Sequence, residues 1–232
     1  MALIQVGNDV VVWSAIPYGA EVERAFKLFD KNLNVSHLLI PDVEHTMAAA
    51  SFKEKFPQVK ILAPGPVDLA LAPTDYKFTD KFSNRKLTKT DLIELGIKEN
   101  TILDNFEFVY LPKHGNKELV MYNPSLKTLF EADLLFNLGT RDPLEQYSAA
   151  TGYSDGYWAH SGWSYLTRYL QPYSKVGTFL FNKIADSSNP DAAKGLKAIY
   201  GWDFETVVMC HGNVITSKAN DAFLNLFRKA LS

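Results

Sequence analysis

The sequence predicts an α/β fold in which helices cover both sides of mixed sheet material, and three observations carry that prediction. Residues 35–63 read strand, helix, strand, the βαβ unit that implies parallel pairing. Residues 106–132 hold three apolar, β-prone runs joined by tight connections. Residues 216–231 form a helix whose Ala219, Ala222, Phe223, Leu226, Phe227 and Ala230 recur on one face.

The elements follow in order. Residues 2–6 and 10–14 pair as strands around Asn8-Asp9 as the turn, because β-prone runs flank a turn dipeptide. Residues 20–31 place Val22, Ala25, Phe26 and Phe29 on one helical face. A buried strand at 35–40 leads through a short helix at 45–55, stopped before Pro57, to a strand at 59–63. Residues 64–105, richer in Pro, Asp, Lys and Thr, read as a surface excursion with a short helix at 89–95. Strands follow at 106–111, 118–122 and 128–132. Residues 143–200 are helical by composition, apart from a Gly/Ser/aromatic patch at 151–164, with breaks at Pro172 and Pro190. A last buried strand covers 206–210. No linker, repeat or low-complexity tract divides the chain, so residues 1–232 are expected to form a single domain.

Composition narrows the function. Apolar residues make up 47% and aromatics 13% of 232 residues, enough for a sizeable core. The 24 basic and 26 acidic side chains are interspersed and leave a net charge of −2, which gives no electrostatic reason to expect nucleic acid or a membrane as partner. The expected partner is a small molecule. Cys210 is the single cysteine, so no disulfide framework or thiolate zinc motif is available and a reducing, cytoplasmic setting is expected. Neither a leader-type N-terminus nor a run approaching the roughly 18 apolar residues of a spanning helix is present.

Three of the five histidines stand just past the end of an apolar strand: His45, His114 and His211. Asp133 adds a carboxylate at a fourth strand end. The rim beyond strand ends is where α/β folds build ligand sites. Imidazoles with carboxylates and no thiolates suit a catalytic zinc, iron or manganese ion over a structural zinc knot.

Taken together, Ser14-Ala15-Ile16-Pro17, Ile40-Pro41-Asp42-Val43-Glu44-His45, Phe56-Pro57 with Ala63-Pro64-Gly65, the run from Leu119 to Asp133 and His211-Gly212 resemble, in order and spacing, the metallo-β-lactamase superfamily, in a degenerate branch classed as a domain of unknown function. The resemblance spans nearly the whole chain and implies an αββα sandwich with mixed sheets. The superfamily's turn, His-x-His-x-Asp-His, would place its last two ligands on Glu44 and His45 and its first two on Ile40 and Asp42. Its later ligands match His114, Asp133 and His211. What the resemblance implies is one divalent transition metal, zinc ahead of iron or manganese, held by Glu44, His45, Asp133 and His211, with His114 left from the other half-site. The implied chemistry is hydrolysis of a small, partly apolar ester, lactone or amide: the ion activates water, and Asp42 or Glu44 takes its proton.

Plainer accounts compete. Asp42 also suits a helix cap, with Glu44 complementing the first turn; His45 suits polar surface, His114 a turn and His211 the core. The aromatic segment from Tyr153 to Tyr173 suits packing, although Tyr157, Trp158 and His160 in its Gly-rich part are candidates to line a substrate pocket. A protein that kept the sandwich, lost the metals and only binds a small molecule is the alternative class. Gly152-Tyr153-Ser154-Asp155-Gly156 fits G-x-S-x-G, and Asp186 or Asp203 with His211 would complete a serine-hydrolase triad. That elbow needs a strand before Ser154 and a helix after it.

Overall fold

Apolar strands pair into two mixed sheets in the computed structural model, which describes residues 1–29, 33–69, 72–139 and 144–232. The first sheet joins Ala2–Val6 (β1), Asp9–Trp13 (β2), Asn34–Leu39 (β3), Lys60–Pro64 (β4) and Tyr76–Phe78 (β5) in that order. Only β1 and β2 are antiparallel. Glu107–Leu111 (β6), Glu118–Asn123 (β7), Thr128–Phe130 (β8) and Thr206–Val208 (β9) form the second sheet, where β9 lies parallel to β8.

Period-2 geometry divides each strand between two cores. Val11, Trp13, Leu39 and Leu62 of the first sheet meet Phe108, Tyr110, Leu119, Met121 and Phe130 of the second in the inter-sheet core. Val10, Val12, Leu38, Ile40, Ile61 and Ala63 point outward, onto Val22 and Phe26 of Ala20–Phe26 (α1) and onto Phe52 of Ala49–Lys55 (α2). The second sheet's outer residues, Val109, Leu111, Val120 and Leu129, are covered by Phe181, Leu196, Ile199, Phe223 and Phe227. The fold is therefore an αββα sandwich with mixed sheets. Burial on both faces makes the strands read as apolar runs rather than alternations.

Two short helices, Lys89–Glu94 (α3) and Asn100–Leu103 (α4), precede the second sheet, and Lys175–Ile184 (α5), Pro190–Tyr200 (α6) and Ala219–Leu231 (α7) cover it. All six predicted apolar positions of α7 are buried. Each large one contributes about 1.5–3 kcal/mol of burial.

Several expectations are corrected. The hairpin turn is Gly7-Asn8, because Val6 pairs with Asp9 and draws Asp9 into β2. The first helix ends at Phe26, and the end of the expected span, at 30–31, lies outside the described residues. The second begins at Ala49, since 45–48 form turns held by Asp42. Residues 64–105 are no surface excursion: they supply β5, and Phe78, Phe82, Leu92, Ile97 and Ile102 plug the inter-sheet core. From 144 to 170 the described chain forms 3₁₀ segments, Glu145–Tyr147, Ala149–Thr151 and Gly162–Tyr169, instead of α-helix. None of the three buries a residue, so no core face draws them into longer helices. Among the described residues no helix is long and apolar enough to cross a membrane.

Candidate metal centre

Four loops meet at one end of the sandwich: 40–45 after β3, 114–117 between β6 and β7, 131–136 after β8 and 209–213 after β9. Backbone bonds tie them across the sheets. Leu119 N donates to Pro41 O at 2.7 Å and Val43 N to Asn116 O at 3.1 Å, while Glu131 N reaches Val208 O at 3.0 Å. His211 is fixed by a bridge between Asn137 and Gly212. Gly212 has φ +103°, and a Cβ there would stand 2.3 Å from Asn137 O, so the loop closes only on glycine.

Within this rim one ligand atom each from His45, Asp133 and His211 lies within 4.8 Å of the others. His211 Nε2 stands 3.2 Å from Asp133 Oδ1, and His45 Nδ1 stands 4.0 Å from Asp133 Oδ2. Apart from this approach of His211, Asp133 Oδ1 is buried and accepts no hydrogen bond. A carboxylate flanked by two imidazoles, with one of its buried oxygens free of hydrogen bonds, fits a cation, and these three residues can hold a metal ion.

Buried acids hold the ligands in place. Asp42 accepts from the backbone N–H of Glu44 at 2.8 Å and of His45 at 2.9 Å, and its carboxylate also receives His45 Nδ1 at 2.9 Å. Such a carboxylate holds the ring in one orientation. The Asp42 bond, and after it the Cys210 thiol, raise His45 to about 10 against the pull of burial. Cys210 Sγ donates to Ser14 Oγ at 3.1 Å. Burial works to raise Asp133, but the His211 contact, the His45 charge and the Asn116 amide, 2.6 Å from Oδ2, hold it below the usual carboxylate range. Its loop is cradled by two further acids. Glu118 accepts from Ala132 N at 2.6 Å and Asp133 N at 3.2 Å; Glu131 accepts from Leu134 N at 2.8 Å and Leu135 N at 3.1 Å. Burial pushes both glutamates well above the ordinary range.

Of the predicted residues, His45, Asp133 and His211 are brought together. Glu44 is exposed on the turn beside His45 and stands outside the cluster. Asp42 is fully buried, with both oxygens turned onto the turn and the His45 ring. His114 is fully buried and also outside the cluster; its Nδ1 accepts from Asn116 N at 3.3 Å, its Nε2 has no partner, and burial lowers its pKa to about 4. Tyr157 packs on Tyr147 and Tyr153, whereas Trp158 stacks edge-on with His160 and donates to its carbonyl. Ser154 sits on an exposed turn after a 3₁₀ segment, with neither the strand nor the helix of a nucleophile elbow, so the triad reading fails. Glu118, Glu131, Asn116 and Cys210 escape sequence reasoning; the one available cue is that Glu118 opens an otherwise apolar strand.

No family model and no curated protein matches the chain. Solved structures do. A metallo-β-lactamase from Hirschia baltica superposes with a TM-score of 0.54 at 10% identity, covering 98% of this chain and 84% of that one. FIM-1 from Pseudomonas aeruginosa, in its mono-zinc form, gives 0.54 at 9% identity over 98% and 81%. A metal-soaked Flv1 flavodiiron core from Synechocystis gives 0.54 at 15% identity over 99% of this chain and 51% of that one. Likeness at this level establishes the fold.

Proposed function

We propose that this chain, which has the metallo-β-lactamase fold, is a metal-dependent hydrolase with one divalent ion held by His45, Asp133 and His211. The observation that carries the reading is the grouping of His45, Asp133 and His211 at the rim, where the buried Asp133 Oδ1 accepts no hydrogen bond and stands 3.2 Å from His211 Nε2. Two imidazoles and a carboxylate match the donor set of catalytic zinc more closely than that of hard cations. Three ligands suffice for one ion, and FIM-1 is known in a mono-zinc form. When bound, the ion supplies Lewis acidity, making water a better nucleophile and polarising a carbonyl or phosphoryl oxygen.

This chain's own residues supply the rest. Asp42 positions His45 through its Nδ1 bond. Glu44, exposed one residue before His45, is the proton acceptor. Phe136 packs on His211 at 4.5 Å between ring centroids and gives the site an apolar wall. The aromatic segment is anchored beside it, because Glu145 N donates to Asn213 Oδ1 at 2.9 Å and Leu138 N to Leu170 O at 2.9 Å. That anchoring supports Tyr157, Trp158 and His160 as the wall of a pocket for a small, partly apolar ester, lactone or amide. The unpaired Cys210 suits a cytosolic setting.

Elemental analysis of the purified protein, before and after chelation, tests the proposal together with melting temperature and turnover of an ester, lactone and amide panel. Stoichiometric zinc, lost with activity on chelation, is expected. A protein that carries no metal, and whose melting and turnover ignore chelator, is instead a binding protein on this fold.

A further inference from the structure

An apolar ridge runs across the helical layer over the second sheet. In the 3₁₀ segment Gly162–Tyr169, residues three apart stand one above another, so Trp163, Leu166 and Tyr169 form a row. Tyr173 continues it, and Val176 with Phe179 extends it one turn along α5. All six are exposed, Trp163 by 95%, Phe179 by 67%, Tyr173 by 65% and Leu166 by 62%. Gly177 joins the two halves: a Cβ there would stand 2.4 Å from Gln171 O and 2.8 Å from Tyr169 O, so α5 begins in backbone contact with the end of the 3₁₀ segment.

Size and shape say what covers this ridge. At 150–250 Å² per aromatic side chain, the exposed fractions offer on the order of 800 Å² per copy, what one partner contributes to a stable interface. Monomeric proteins rarely leave so large a contiguous patch in water. Beside the ridge, and sharing Tyr173 and Phe179 with it, lies a groove of about 1080 Å³ between α5, α6 and α7. A two-fold interface needs a projection and a depression on the same surface, and this surface has both. The groove is predominantly basic, with Lys175, Lys183, Lys197, Arg228 and Lys229 against Asp186, so the choice of a second copy rests on the area of the ridge.

We propose that the ridge is a homodimer interface, in which the Trp163 row of one copy seats against the ridge and groove of a second. Sedimentation equilibrium over a dilution series should show a species of twice the chain mass. Trp163→Glu with Leu166→Glu should weaken association by on the order of 100-fold or more, as should Phe179→Glu, with circular dichroism unchanged. Leu28→Glu, at a residue 87% exposed and off the ridge, should leave the dimer intact. A wild type that is monomeric at every concentration overturns the proposal, as does a dimer indifferent to both ridge variants. Flotation with phosphatidylcholine–phosphatidylserine vesicles that requires Trp163, from a protein monomeric in solution, assigns the ridge to a membrane instead.

Discussion

Replacing Asp133 by Asn isolates the carboxylate on which the metal proposal depends. The substitution keeps the side chain's shape and one oxygen acceptor, but removes the charge between His45 and His211. Zinc at a free concentration of 100 Kd stabilises a native state by about 2.7 kcal/mol. In a chain of this size each kcal/mol is worth roughly 2–4 °C of melting temperature, so the wild type should gain about 5–10 °C. If losing the anionic ligand weakens binding about 100-fold, the same zinc concentration equals Kd and the stabilisation falls to about 0.4 kcal/mol, near 1 °C. Differential scanning fluorimetry with and without zinc in a metal buffer reads both numbers. A variant that keeps the full wild-type shift refutes the assignment of Asp133 as a ligand.

Glu44→Gln should leave zinc content unchanged and lower kcat by about 10²- to 10⁴-fold, as removal of a general base does; loss of zinc would make Glu44 a ligand instead. Glu131→Gln should alter pH dependence. The raised pKa of Glu131 means that its contribution to stability is fully present below the unfolded value of 4.5 and is lost as pH rises above it. The Gln variant, which mimics the protonated form, should therefore gain on the wild type between pH 5 and 8 by at most about 1.4 kcal/mol per pH unit, as urea melts at several pH values will show. A difference independent of pH would contradict this. Gly212→Ala should cost about 1–3 kcal/mol of stability through the φ of +103° and the clash with Asn137, and should weaken zinc binding by moving His211.

How far the molecule is legible in its sequence depends on where each constraint originates. The strands are legible because both faces of each are buried, leaving continuous apolar runs such as Val109 to Leu111 and Leu119 to Met121. The last helix is legible because one face carries the whole outer core. Residues 64–105 mislead because their buried side chains, Phe78, Phe82, Leu92 and Ile97, are spaced irregularly and plug the end of a core that other segments build. His45, Asp133 and His211 can be found from their places at strand ends. Their supports cannot, since Glu118 reaches Asp133 across a hairpin and Cys210 reaches Ser14 across 196 positions. Asp42 shows the limit within one turn: helix cap and catalytic acid demand the same residue, and the structure shows neither, since Asp42 is buried holding the turn at Glu44 and the His45 ring while the helix begins only at Ala49 without a side-chain cap.

Charge balance at the rim supplies a last prediction. Glu118 and Glu131 are driven toward their neutral forms by burial, which leaves the Asp42 and Asp133 carboxylates against the His45 imidazolium. Two negative charges against one positive leave the rim short by one, and buried charge without a partner costs several kcal/mol. A divalent ion that displaces the His45 proton brings the sum to zero. Binding at pH 7 should therefore release close to one proton, and apparent affinity should rise about tenfold per pH unit between pH 6 and 8, well below the His45 value of about 10. Calorimetric titration of zinc in buffers of differing ionisation enthalpy counts the protons directly. Release of none would mean that His45 already holds a free nitrogen for the ion, and that the rim balances its charge in some other way than through Asp42.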